Sequence, residues 1–154
     1  MPSLLQTLTP PSRLAIRWLE GYFKPVADLL VRLYLANVFF SSGLTKIEDW
    51  SKTVALFTDE YRVPVLPPAL AAALGTFGEL FFPVLLVLGL AGRFGALALF
   101  GVNAMAVISY YHVLSEAPAL LLHHYLWGLL ILTIIANGPG KLSLDAWIAR
   151  RLAA

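Results

Sequence analysis

The 154-residue sequence contains no cysteine, which excludes disulfides, thiolate metal ligation and cysteine-based redox chemistry by this chain itself. Any thiol chemistry around it belongs to a partner. Charge is scarce too: 13% of residues are Asp, Glu, Lys or Arg, and the net charge is +2. The basic residues are scattered over prospective helix ends rather than gathered into a patch, so nucleic acid is excluded as a partner. There is no HExxH, no phosphate-binding glycine loop and no nucleophile elbow, hence no self-sufficient catalytic motif. The N-terminus also lacks a signal peptide's compact layout, because its basic region is long and no small-x-small site follows the apolar run. The first apolar run is therefore expected to be retained.

What fills the chain is apolar. At 59% hydrophobic residues and a mean hydropathy of +0.77, it is too apolar for a soluble domain of this length. A bilayer core of about 30 Å takes roughly 20 apolar residues per helical span. Four runs meet or approach that length, at about 26–45, 69–91, 94–111 and 119–136. They are continuously apolar, without the alternation of barrel strands. Arg13, Arg17 and Lys24 precede the first run, Arg93 lies between the second and third, and Lys141, Arg150 and Arg151 follow the fourth. On the other side, Lys46, Lys52 and Arg62 are outnumbered by Glu48, Asp49, Asp59 and Glu60, and the stretch from His112 to Pro118 has no Lys or Arg. By the positive-inside rule both termini are cytoplasmic. The expected architecture is all-α: a polytopic membrane protein with a four-transmembrane-helix bundle and short interfacial amphipathic helices. It divides into a cytoplasmic interfacial segment (1–25), the transmembrane domain (26–137) and a cytoplasmic tail (138–154).

Three segments outside the spans are amphipathic. Ser12 can cap a helix whose Leu14, Ala15, Trp18, Leu19 and Tyr22 share a face, and Pro25 marks the turn into the membrane. Trp50, Val54, Phe57 and Tyr61 recur at helical spacing before Pro64, Pro67 and Pro68, predicting a short helix at the outer surface that rests on lipid or on the bundle, or docks a partner. After Gly138-Pro139-Gly140, Ser143 can cap a last helix with Leu144, Trp147 and Ile148 on one side.

Charged side chains within lipid cost at least ~2.5 to 3.5 kcal/mol each at a helix centre, so they must face protein or water. On the first span, Asp28, Arg32, Ala36, Phe39, Gly43 and Lys46 follow at steps of three or four, and an adjacent stripe carries Tyr34, Asn37, Ser41 and Thr45. On the second, Gly75, Glu79, Phe82, Leu86 and Gly89 align likewise. Counted from the middle of each span, Asn37, Glu79 and Asn103 fall within about one turn of the midplane, and Arg32 comes within side-chain reach of Glu79. Two readings follow. In one, Arg32, Asn37, Glu79 and Asn103 are internal glue for the bundle. In the other, Glu79 and Arg32 form a proton-handling charge pair beside a bound apolar redox molecule or lipid, with Asn37, Asn103, Lys46 and Phe82 lining its pocket. Pro83, lacking an N–H, would leave the Glu79 carbonyl without its helical partner. Near the outer face, His112, His123 and His124 could bind copper, zinc or haem iron, although their spacing matches no specific metal motif; an interfacial hydrogen-bonding cluster with Tyr110, Tyr111 and Trp127 is the simpler reading.

Arg32, "SSGLTKIEDW" with Gly43 and Lys46, "VPVLPPALAAALGTFGEL" through Glu79, "GLAGRFGALAL" and "NGPGKLSLD" together resemble the DoxX family of small four-helix bacterial membrane proteins, over about Asp28 to Asp145. The resemblance implies a multi-pass protein of the bacterial inner membrane. Family members include a subunit of thiosulfate:quinone oxidoreductase and membrane components of thiol-redox or oxidative-stress complexes, and some occur beside copper-related peptide maturation systems. It therefore implies a quinone-linked subunit of an oxidoreductase complex, with quinone as the cofactor ahead of haem or copper. Arg32 and Glu79 match the family's intramembrane charges, and Lys46 its basic residue after the first helix. The partners implied are the lipid bilayer, periplasmic or membrane redox proteins and further copies of the chain. The alternative is a non-catalytic scaffold or maturation helper for a periplasmic or metal-related partner.

Overall fold

The computed structural model describes residues 10–153. The first nine residues of the expected N-terminal segment, and Ala154, lie outside that range. Helix α1 (Pro10–Trp18) passes through a single π turn (Leu19–Phe23) into α2 (Lys24–Glu48) without a break. Ser12 consequently lies inside α1, because the Pro10-Pro11 pair already occupies the first turn, where a missing N–H costs nothing. Pro25 does not interrupt the helix either. The π turn shifts the hydrogen-bond register so that Lys24 N–H donates to Leu19 O, and Pro25 follows where the wider turn absorbs its lost donor.

At the far end of α2, Asp49 starts α3 (Trp50–Asp59) by accepting from Lys52 N at 3.0 Å; the backbone and side-chain bonds from Lys52 hold the Asp49 carboxyl below the usual carboxylate range. The apolar face of α3 turns into the bundle: Phe57, supported by Val54 and Tyr61, packs on Ala71 and Ala72. Only Trp50 of that expected face remains exposed. The chain then re-enters as α4 (Pro68–Leu88), α5 (Gly92–Leu114) and α6 (Pro118–Asn137). The α1–α2 rod, α4, α5 and α6 are the four helices long and apolar enough to cross a membrane. Four crossings put both described ends of the chain on one side, called here the terminal end; α3 lies at the distal end.

Helix α2 packs on α4, α4 on α5, α5 on α6, and α6 closes back on α2. Between them Leu35, Phe39, Leu86, Ala96, Leu99, Ile131 and Ile134 form a common apolar core. Helix α4 stops at Leu88, short of the expected Ala91, because Gly89 takes a left-handed φ of +61° and caps it with bonds to the Leu85 and Leu86 carbonyls. The tail then returns to this turn. Asp145 accepts from Ala91 N and Gly92 N, both at 2.8 Å, capping α5, while its own N–H donates to Gly89 O. Ser143 accepts from Ala146 N and starts α7 (Leu144–Leu152) as its sequence suggests.

Candidate functional site

Two glycines set the position of Glu79. A Cβ on Gly43 would lie 2.8 Å from the Leu80 side chain and 3.2 Å from Glu79 Cβ, so α2 can approach α4 this closely only without one. Gly78 does the same for α5, where Val102 would meet a Cβ at 2.7 Å. With Gly43 beside Glu79, Lys46 lies one turn further along the same stripe of α2 and reaches across. Lys46 Nζ donates to Glu79 Oε2 at 2.6 Å and to Ser42 Oγ at 2.9 Å. The side chains of this ion pair are 13% and 11% exposed. Thr53, from α3, fixes the end of α2 by donating to Lys46 O at 2.8 Å.

This pairing corrects the expectation that Arg32 meets Glu79. Arg32 is 1% exposed and, among the described residues, bonds only carbonyls: Nη1 donates to Leu86 O at 3.0 Å and Val87 O at 3.3 Å, and Nη2 donates to Leu142 O. It closes the C-terminal end of α4 and ties the tail to it, where the carbonyls of the last turn lack helical donors. The cause is an axial offset. Aligning helix centres sets Glu79 opposite about residue 37, whereas the structure sets it opposite Gly43, some six residues or roughly 9 Å away. The same offset separates Asn37 from Glu79; it lies exposed in a shallow outward groove with Pro83 and Val84. Pro83 itself is buried in an unbroken α4, and the carbonyls that attract a side-chain donor are those of Leu86 and Val87, not Glu79.

Glu79 and Lys46 stand at one wall of a cavity of about 530 Å³ lined by α2, α3, α4, α5 and α6 in the distal half of the bundle. Its walls are mainly apolar, including Phe39, Leu74, Val102, Met105 and Trp127. Besides the ion pair, the polar groups facing it are Ser42, Tyr61, Ser109, Tyr110 and His124. Tyr61 closes the distal end, with its ring edge-on to Phe57 at 4.8 Å and to Tyr110 at 4.7 Å. Burial, with Tyr110, Glu79 and Glu60 nearby, pushes the Tyr61 phenol up to about 12. The lid is pinned by Arg62 N donating to Ser109 O at 2.9 Å and Tyr110 Oη donating to Glu60 at 3.1 Å.

Asn103 is not beside Glu79 but on His124. Its Nδ2 donates to the His124 carbonyl at 3.0 Å, which turns Oδ1 toward His124 Nδ1 at 2.9 Å. Nδ1 then donates to Oδ1, so the neutral imidazole presents Nε2 as an acceptor. The three histidines do not converge: His123 stacks on Trp127, and His112 lies edge-on to Tyr110. Among the described residues no three His, Asp or Glu side chains form a metal-binding group. Phe82 packs against the apolar core and the Phe77, Phe81 and Phe94 rings, outside the cavity. Tyr61 and Ser42 are cavity residues that the spacing argument missed. The usable signal was Lys46 following Gly43 on an inward stripe, since a small residue marks the close approach and a long cation one turn on can use it.

The arrangement provides a mostly apolar chamber, within the usual range for small-molecule sites, with one ammonium–carboxylate pair and several further hydrogen-bonding groups. It can hold a flat or amphipathic molecule with a polar edge and exchange a proton with it at Lys46 or Glu79. A family model described as DoxX matches residues 27–112. A relative from Haemophilus influenzae, described as an uncharacterized protein, is 32% identical over 141 residues, covering 86% of this chain and 89% of its own. No solved structure matches.

Proposed function

Because the chain belongs to the DoxX family, we propose that it is a redox-associated membrane subunit whose distal cavity binds the head of a quinone beside Lys46 and Glu79. The observation that carries the reading is the buried Lys46–Glu79 pair on the wall of a mainly apolar chamber. The lining fits such a head: apolar side chains pack its ring faces, Lys46 Nζ donates to a carbonyl oxygen, and Tyr61 and His124 offer further hydrogen bonds. Reduction of a quinone consumes two electrons and two protons. The electrons come from a partner redox protein, and this chain orients the head, stabilises the charge that grows on its oxygen and exchanges a proton through Glu79 Oε2 and Lys46 Nζ. Arg32 has no part in that chemistry and acts as a structural clasp. The reading places the protein in the bacterial inner membrane, where the quinone pool lies.

The test is direct. Protein purified into nanodiscs is extracted and assayed for quinone, and short-tailed ubiquinone and menaquinone analogues are titrated onto wild type, Lys46→Met and Glu79→Gln. Saturable binding that weakens about tenfold in the folded variants supports the site, equivalent to one lost charged hydrogen bond. No retained quinone and no saturable binding in wild type would sink it and leave the scaffold reading standing.

A further inference from the structure

We infer that α2 pairs with α2 of a second copy of this chain, forming a parallel homodimer within the membrane about Asn37. Val26, Leu30, Leu33, Asn37, Phe40, Leu44 and Ile47 succeed one another at alternating steps of four and three residues, three heptads without interruption. That is the seam of a two-stranded coiled coil, with Leu30, Asn37 and Leu44 at a positions and Val26, Leu33, Phe40 and Ile47 at d. Every member points away from the bundle: the six apolar side chains are between 37% and 59% exposed, and Asn37 is exposed at their centre. The opposite stripe of α2, with Arg32, Ala36, Phe39 and Gly43, is the one the bundle buries.

Exposed leucines alone are compatible with lipid. Asn37 is not. Of the three asparagines, Asn103 is tied to His124 and Asn137 donates to Thr133 O, whereas Asn37 makes no hydrogen bond among the described residues. Leu30 and Leu33 on one side and Phe40 and Leu44 on the other surround its amide with exposed apolar side chains, and the side chain is too short to snorkel far along the helix. An amide is donor and acceptor at once, so an identical amide satisfies it in both directions. Two copies inserted with the same topology bring Asn37 to Asn37 at equal depth for any two-fold axis along the membrane normal beside α2. A different partner helix would have to supply a polar group at that depth by coincidence. A lone asparagine at an a position is also the residue that fixes parallel, two-stranded register. The shallow groove of about 320 Å³ that α2 forms with Pro83, Val84 and Val87 of α4 runs beside the seam and gives the partner helix room to approach.

The absence of cysteine makes the test clean. Leu30→Cys, Leu33→Cys and Leu44→Cys are each oxidised in native membranes alongside Leu97→Cys and Leu129→Cys, which face outward from α5 and α6. A covalent dimer of this chain at the three seam positions and not at the two controls is expected. Equal cross-linking at all five, none at the seam, or adducts only with another protein would overturn the dimer. Energy transfer between labelled copies, diluted in lipid, reads the amide: Asn37→Leu should weaken association about tenfold while Asn37→Gln keeps it. Unchanged association in Asn37→Leu removes Asn37 as the pairing determinant.

Discussion

Lys46 and Glu79 hold opposite charges 2.6 Å apart with nearly nine-tenths of each side chain shielded. Removing one leaves the other charge in a place where solvation cannot replace its partner, and such losses run to about 3 kcal/mol or more. Lys46→Met or Glu79→Gln alone should therefore destabilise the protein by roughly 3 kcal/mol. The double substitution should cost clearly less than the sum, since no orphan charge remains. Thermal unfolding in a mild detergent gives the cycle; strictly additive losses would mean the ion pair contributes no coupling. Tyr61 supplies a pH test. Its phenol titrates at about 12 in the folded protein against an ordinary value near 10. The folded state thus retains a proton that the unfolded state gives up, so this contribution is intact below about pH 10 and is lost as pH rises toward about 12. Tyr61→Phe should flatten that decline, and an identical decline in the variant would show that Tyr61 is not its source. Glu79 was legible in the sequence as a carboxylate needing a protein partner, but its partner was not. Stripe arguments fix which side of a helix a residue takes, while the axial offset between helices depends on where glycines let them touch. Here Gly43 moved the contact by about six residues, exchanging Arg32 for Lys46.

Helices rather than residues explain what Arg32 and Asp145 do. The turn from α4 to α5 contains two left-handed residues, Gly89 and Ala91, and it exposes the end of one helix and the start of the next at the same point. Arg32 satisfies the carbonyls of the first, Asp145 satisfies the N–H groups of the second, and Leu142 O ties the two clasps together through the tail. Asp145→Ala should lower stability by about 1 to 2 kcal/mol, the usual loss of an N-cap, whereas Asp145→Asn should keep most of it through its remaining acceptor. Thermal unfolding of the two variants decides between a cap and a mere surface charge. Gly89→Ala should be worse than either, because it combines an unfavourable φ of +61° with a Cβ placed against the Arg32 guanidinium and Ser143. The four spans and the Ser143 cap could be read directly, as apolar periodicity and capping residues are local properties. The clasp could not, because backbone carbonyls are present at every position and leave no mark in sequence. The continuous α1–α2 rod escaped for a related reason: Pro25 reads as a break unless the π turn that accommodates it is known.

For the molecule as a whole, charge is distributed by end. Arg13, Arg17, Lys24, Arg93, Lys141, Arg150 and Arg151 stand at the terminal end against Glu20, Asp28 and Asp145, and Asp145 is already engaged as a cap. Outside the Lys46–Glu79 pair, the distal end has Lys52 and Arg62 against Glu48, Asp49, Asp59, Glu60 and Glu116. Basic residues close to short spans resist translocation, so the terminal end should remain in the cytoplasm and the distal half of the bundle, with the cavity, Tyr61 and Tyr110, should lie toward the other side. Alkaline phosphatase, which folds only after export, should be inactive when fused after residue 154 and active when inserted at 115–117 between α5 and α6; a cytoplasmically fluorescent protein should report the reverse. Activity after residue 154 would invert the topology and put the cavity on the cytoplasmic side, requiring any electron-donating partner to be cytoplasmic. Comparable activity at both sites would mean insertion in two orientations. A parallel α2 seam could then form only between copies of like orientation, so the same fusions also bear on whether Asn37 meets Asn37 in every pair or in a fraction of them.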